Sequence, residues 1–584
     1  MRASVKEFDT DVLVIGTGPM GATTALALAT NGVRVQAVNK YGWVSQTPRA
    51  HITNLRAMEV LRALGVEEIV KREATPWELM GDTSFSTGLV GREIARLRTW
   101  GTGRERFGDY LKSSPCTMLD VPQSILEPIL INAASRRGAL FSFNTEYLEH
   151  EQDEDGVNIV LKNRISGHIY SQRARFLVGA DGAKSKVAQD IDLKIDGIPA
   201  RDGTVYAEFR ADLSRYVEHR PSILHWVLSP DSNVGEIGMG VLRAIRPWNH
   251  WIAGWGFDTA KGSADLSHER ALGQIRKFVG DPTLECEIVG VSTWFVNQQH
   301  APWYSKGRVA CGGDAVHRHP PSGGLGSNTC IQDAFNLSWK LAFAVKGWAS
   351  IDLVDTYSVE RAPVGGQVVA RANQSRLDYA PLLNALVGSG GPDWLDQAMT
   401  RITDPSMEGV TMRADIERAM ALKDREFNGL GAEMNQRYRS SGVICEPGEE
   451  AFTRYECLYV QPTTRPGAKL PHAWLVGREG KRVSTLDTIS HSKLTLLTGL
   501  AGSQWTAAAD LLEFPYLESV IIGRDGLQDL YFEWRRAAEI SEEGAILVRP
   551  DGIVAWRSFG AAPSAEAAAD GLYSVLSTIL GMSR

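Results

Sequence analysis

Residues 11–40 read "DVLVIGTGPMGATTALALATNGVRVQAVNK". The apolar run at 12–15 predicts a buried strand, residues 22–29 predict a helix stopped by Gly32, and residues 33–38 predict a second strand. That order is a βαβ unit, and it sets the fold class as α/β. Gly16, Gly18 and Gly21 supply GxGxxG where strand gives way to helix. In that context backbone N–H groups and a helix N-terminus meet a pyrophosphate. The second strand of such a site ordinarily ends in Asp or Glu to hold a ribose; here the position is Asn39, whose amide accepts one such bond. Taken alone, the motif also fits a glycine turn that holds no nucleotide.

Downstream, "PRAHITNLRAMEVLRALG" (48–65) predicts an extended entry and then a helix on which Leu55, Met58 and Leu61 share a face. In the extended part Arg49 and His51 are two residues apart and are expected to point the same way into one cavity. Residues 146–163 and 168–187 read as a strand meander with a tight turn at Asp155-Gly156. Residues 195–303, rich in tryptophan and β-branched side chains, read as a sheet laid over the first domain. Its Trp226, Trp248, Trp251, Trp255 and Trp294 are expected mostly in the core, two of them lining an aromatic-accepting pocket. "ACGGDAVHRHPPSGGLGSNT" (310–329) packs glycine and proline between a strand and a helix, which suits a loop shaped around a ligand that needs close backbone approach. A helical stretch near 379–430 follows, then short strands and a hairpin turn at Asp551-Gly552 that predict a separate α/β domain.

At 584 residues the chain implies about three or four folding units. A net charge of −7, with no dense Lys/Arg block, argues against a nucleic-acid partner. Six cysteines without a CxxC argue against a disulfide framework and a metal site, and fit a reducing cytoplasm. Glu7, Asp9 and Asp11 break any signal-peptide pattern, and no apolar run reaches the roughly 18 residues of a membrane helix.

Three separated segments together resemble the class A flavoprotein aromatic hydroxylases, in their phenol hydroxylase branch. They are GxGxxG; "GADGAKSKV" (179–187), similar to DGxxSxVR except that Ala188 replaces the Arg; and the glycine-proline loop, similar to the family's GD motif. The resemblance implies a Rossmann-like FAD-binding domain over 1–193 and 300–378, with 75–110 contributing to the substrate side. It further implies a substrate-binding β-sheet domain over 194–299, a helical linker region over 379–460, and a thioredoxin-like C-terminal domain over 461–584 that lacks the CxxC needed for dithiol exchange. FAD is the implied cofactor, held by Gly16, Gly18, Gly21, Asn39, Arg49, Gln123, Asp181, Asp314, Pro321, Gly324, Leu325, Gly326, Ser327 and Asn328. The helix after the loop, expected to begin near Asn328, aims its positive end at reduced flavin.

The resemblance also implies NADPH and O2 as cosubstrates and hydroxylation of a phenol or chlorophenol ortho to its OH by a C4a-hydroperoxyflavin, giving a catechol. His51 is the leading candidate for a base toward the phenol, with Trp255 and Arg246 next among catalytic candidates. His317 and His319, beside Arg318, are expected either to touch nicotinamide or flavin phosphate or to cap the loop. A homo-oligomer, dimer or tetramer, is expected. Two other readings stay open: a hydroxylase of another phenolic or polyketide aromatic, and an FAD oxidase or reductase without oxygen insertion.

Overall fold

Val12, Leu13 and Val14 are fully buried because β1 (Thr10–Ile15) is the middle strand of a five-strand parallel array, the kind of sheet covered on both faces. The computed structural model describes residues 7–199, 203–229, 232–234, 237–387, 390, 393–448, 450–524 and 526–582. From β1 the chain enters α1 (Pro19–Thr30) and returns as β2 (Val35–Val38), parallel to β1 with Val12 opposite Val35 and Ile15 opposite Val38. The βαβ unit stands as predicted, although the helix starts three residues earlier than its apolar pattern, at Pro19, whose fixed φ suits a first helical turn.

Two very short strands, β3 (Ile52–Thr53) and β4 (Leu119–Asp120), pair antiparallel. After them α2 (Gln123–Arg136) leads to the meander. Its last strand, β5 (Ile169–Gly179), turns back alongside β1 in parallel, Val12 opposite Phe176 and Ile15 opposite Gly179.

A seven-stranded sheet carries the tryptophan-rich region. It contains β6 (Gly203–Arg210), β7 (Leu224–Val227), β8 (Gly240–Arg246), β9 (His250–Phe257) and, after the helix α3 (His268–Val279), β10 (Glu287–Phe295). The order is β10-β6-β9-β8-β7, extended by the strands Asp82–Ser86 and Glu93–Arg98 from far earlier in the chain. β11 (Val309–Cys311) then rejoins the first sheet beside β5, and the glycine-proline loop leads into α4 (Gly326–Val345) and the long α5 (Asp352–Leu377). Helix α6 (Met407–Phe427) packs its Met412, Ile416 and Ala419 into the same core as Trp226, Trp251 and Trp255. The C-terminal domain is a four-stranded mixed sheet of β12 (Leu494–Thr498), β13 (Leu517–Ile521), β14 (Ala545–Val548) and β15 (Val554–Ser558), in the order β13-β12-β14-β15. Its helices α7 (Ser503–Leu512) and α8 (Ala565–Leu580) complete a thioredoxin-like arrangement.

Candidate active site

The short β3–β4 pairing builds one wall of the site from backbone alone. Ile52 lies opposite Asp120, the Val121 N–H donates to the His51 carbonyl at 2.7 Å, and the Gln123 N–H donates to the Arg49 carbonyl at 2.8 Å. Residues 49–53 and 119–123 are thereby zipped together. Arg49 and His51 do line one cavity, but not through extended alternation: Ala50 between them is left-handed at φ 47°. The kink leaves Arg49 exposed at the mouth and drives His51 inward to 7% exposure.

The cavity holds about 1,050 Å3 and runs between the two sheets. One end starts at Gly18 and Pro19 at the head of α1 and passes Arg49, Gln123, Asp314 and Gly324. The other end is apolar and aromatic, walled by Tyr206, Leu224, Trp226, Val241 and Ile252 of the second sheet.

At the junction of the two ends sits a three-residue charge cluster. His51 Nδ1 is 3.6 Å from Asp120 Oδ1, and the guanidinium of Arg243 pairs with Asp120 Oδ2. The Asp120 side chain is 0% exposed. Burial would raise its pKa, but the Arg243 cation and His51 outweigh burial and hold the carboxyl below its ordinary value, so it stays ionised. His51 is pushed the other way: burial first, then the Arg243 cation, lower its pKa and keep the ring neutral. A neutral imidazole that turns its Nδ1 proton toward Asp120 presents a bare Nε2 lone pair as a proton acceptor.

The first end of the cavity fits a flavin dinucleotide. A Cβ on Gly16 would stand 2.1 Å from the Ala180 carbonyl oxygen, and one on Gly21 would stand 2.0 Å from the Gly16 carbonyl oxygen. Those two glycines serve the packing of the turn. Gly18 is the one that faces the cavity, at the N-terminus of α1, where the Gly18, Met20 and Gly21 backbone N–H groups lack helical partners and Pro19 has no N–H. Across from it the exposed Asp314 carboxylate and the Arg49 guanidinium line the space with no hydrogen-bond or ion-pair partner among the described residues. Pro321, Gly324, Gly326 and Ser327 bring backbone to the same wall. Helix α4 begins at Gly326, two residues before the expected start, so its first N–H groups are closer to that wall.

Other candidate positions turn elsewhere. The Asn39 amide donates to Thr17 Oγ1 at 2.6 Å and its carbonyl accepts from the Tyr41 N–H at 3.0 Å. Asp181 spends both oxygens on Ser185 Oγ and the N–H groups of Lys186 and Val187, capping the helix Lys186–Asp190. Asn328 is a staple: its amide donates to the Ile52 and Gly324 carbonyls at 2.8 and 2.6 Å while its oxygen accepts from the Asn54 N–H. The Leu325 side chain packs against Val364, Val368 and Tyr438. Gln123 lines the cavity and donates to Glu127 at 2.5 Å; burial pushes the Glu127 carboxyl up to about 7. His319 and Arg318 line the cavity, whereas His317 is fully buried outside its lining and bonded through Nε2 to Asp333 at 2.7 Å.

Trp255 and Arg246 stand apart from the cavity. Ile252 of β9 faces it, so Trp255, at odd spacing on the same strand, lies on the opposite face in the hydrophobic core, 3% exposed. Arg246 closes the end of β8 and is tied to the Glu73 carbonyl and carboxylate at the surface. Asp120 escaped the sequence reading. Its signal was a lone carboxylate in the apolar run "TMLDVP" (117–122), a residue type that enters a core only when paired. Glu426 and Phe427, at the C-terminal end of α6, also wall the cavity, although the helical stretch was read as a linker.

Comparison with known proteins gives two family matches: an FAD binding domain over residues 9–372 and an aromatic-ring hydroxylase C-terminal domain over residues 463–583. The chain is 44% identical over 580 residues to 2,4-dichlorophenol 6-monooxygenase of Cupriavidus pinatubonensis (strain JMP 134 / LMG 1197), covering 98% of this chain and 96% of that protein. It is 43% identical over 579 residues to phenol 2-monooxygenase of Pseudomonas sp. (strain EST1001), covering 97% and 92%. Among solved structures it matches the flavin-dependent monooxygenase PieE, in complex with FAD and substrate, with a TM-score of 0.93 and 38% identity over 99% of this chain and 100% of that one.

Proposed function

Because the chain belongs to the family of FAD-binding aromatic-ring hydroxylases, with FAD as its cofactor, we propose that it hydroxylates a phenol or chlorophenol ortho to its OH. NADPH is the electron donor, O2 the oxygen source and a catechol the product. The observation that carries this reading is the neutral, buried His51, backed by the Asp120–Arg243 pair, where the cofactor end of the cavity meets its apolar end. When bound, FAD supplies the redox chemistry that activates O2 and delivers one oxygen atom to the ring.

His51 takes the phenol proton at Nε2, which makes the ring a stronger nucleophile at its ortho carbon. Asp120 orients the imidazole and balances the charge it gains; Arg243 keeps Asp120 ionised. Tyr206, Leu224, Trp226, Val241 and Ile252 hold the ring and keep water from the reacting atoms. Gly18, Arg49 and the α4 N-terminus suit the anionic parts of the cofactor, and Asp314 suits its hydroxyls. A homo-oligomer working in the cytoplasm completes the proposal. All six cysteines are free thiols, and among the described residues no helix is long and apolar enough to cross a membrane.

The test is turnover under labelled dioxygen across a panel of phenols and hydroxybenzoates, with catechol and hydrogen peroxide both measured. Arg243 is ion-paired with Asp120 and Arg246 with Glu73, so among the described residues no cation at the apolar end lacks an anion partner. Phenols are therefore expected to turn over faster and with better coupling than any hydroxybenzoate; the reverse order, or a product without label, sinks the proposal. A pH dependence follows from the cluster as well. Since burial and Arg243 lower the His51 pKa, its base form should persist to below the ordinary value of about 6.5, and the acid limb of kcat/KM should lie there. Removing the cation in Arg243→Gln raises the His51 pKa, so that limb should move to higher pH; an unmoved limb assigns the titration to another group.

A further inference from the structure

Glu360 and Arg361 are neighbours on α5, both side chains fully buried, and each anchors a different half of one charged network. The Glu360 carboxylate accepts both terminal nitrogens of Arg549 at 2.6 and 2.8 Å, Lys340 Nζ at 2.8 Å and Ser440 Oγ at 2.6 Å. Arg549 belongs to the C-terminal domain. Its guanidinium also pairs with Asp551 at 2.6 Å and lies over the Trp339 ring at 5.0 Å. Two cations, Lys340 and Arg549, thus face two anions, Glu360 and Asp551, with no charge left over.

The other half reaches the cofactor loop. Arg361 Nε donates to Asp333 Oδ1 at 2.7 Å, and Asp333 Oδ2 accepts from the Gly313 backbone N–H at 3.2 Å and from His317 Nε2 at 2.7 Å. Gly313 is the residue before Asp314. The two halves also touch through Tyr438, whose hydroxyl accepts from Arg361 at 2.8 Å while its ring lies 5.6 Å from the Arg549 guanidinium carbon. An unbroken run of buried contacts therefore links the hairpin turn of the C-terminal domain to the amide beside the open Asp314 carboxylate.

We propose that Arg549 is a positioning residue for FAD: by clamping Glu360 it fixes α5, and so holds Arg361, Asp333 and the Gly313–Asp314 backbone in the conformation that receives the cofactor. This gives the C-terminal domain a role in cofactor retention without any dithiol chemistry. It rests on the reading that FAD seats against Asp314.

The test titrates full-length apoprotein with FAD, followed by flavin fluorescence and visible circular dichroism well below each variant's Tm. Arg549→Met is expected to weaken FAD about 2- to 30-fold, the range over which packed networks carry coupling, and to alter the flavin dichroism. Arg549→Lys should recover most of both. Arg62→Ala serves as control: it breaks a different pair to the same domain, Arg62 with Asp487 at 2.7 Å, and is expected to leave FAD affinity unchanged. If Arg549→Met does not fold, the pair variant Glu360→Gln/Arg549→Met removes one cation and one anion together, so the network stays neutral with Lys340 and Asp551 remaining, and should show the same weakening. Wild-type FAD affinity in the folded Arg549 variants, or equal weakening in Arg62→Ala, overturns the proposal. Asp314→Ala separates the two layers: if it keeps FAD, the seating is wrong; if it loses FAD while Arg549→Met does not, only the positioning role fails.

Discussion

Replacing His51 with alanine is expected to leave FAD content nearly intact while slowing ring hydroxylation by roughly 10²- to 10⁴-fold, the usual loss on removing a general base. The side chain lines the cavity, and its charged partners there are Asp120 and Arg243, so its loss leaves Gly18, Arg49 and Asp314 at the cofactor end in place. Cofactor reduction and its reaction with oxygen do not need this imidazole. NADPH consumption should therefore continue and end increasingly in hydrogen peroxide instead of catechol. The defect should shrink at high pH and with more acidic chlorophenols, which ionise unaided. A variant that hydroxylates with wild-type coupling at neutral pH would falsify the assignment of His51 as base.

The second large effect is on the cofactor. Asp314→Ala should weaken FAD about 10- to 150-fold, since a hydrogen bond to a charged group contributes about 1.5–3 kcal/mol. The Asp314 carboxylate has no partner among the described residues and faces the cavity, so its removal leaves no buried group unpaired within the protein and the fold should hold. Equilibrium dialysis of the purified variant against FAD reads the change directly. Stoichiometric flavin with a wild-type spectrum would place the ribityl chain elsewhere.

Local order was legible where one residue's neighbours in sequence are also its neighbours in space. The βαβ unit, the meander and its turn at Asp155-Gly156, and the glycine-proline loop all announce themselves through periodicity and turn chemistry. Gly18, Arg49, His51, Gln123 and Asp314 were reached by motif and resemblance, and they do converge on one cavity. What stayed hidden depends on pairing across long stretches of chain. Asp120 meets His51 only through a ladder of two-residue strands, too short to leave a pattern. Trp255 and Ile252 look equivalent in an apolar run; which one faces the ligand is settled by the register of β9 against its neighbours, not by composition. Arg246 and Arg243 likewise differ only in what the folded chain brings to them, Glu73 at the surface for one and the buried Asp120 for the other. The motif positions Asn39 and Asp181 hold residues whose polar atoms are occupied by their own turns.

Glu426 and Phe427 come from the C-terminal tip of α6, roughly at the three-quarter point of the chain, yet they share a wall with Gly323 and Trp100. Selectivity in this enzyme is therefore not inherited as a module. A chimera joining residues 7–378 of this chain to the remainder of a relative would keep all three cofactor motifs of this chain and still receive a foreign panel in its ligand chamber. Directed-evolution libraries confined to the two sheets would, for the same reason, search only part of the lining that decides what fits.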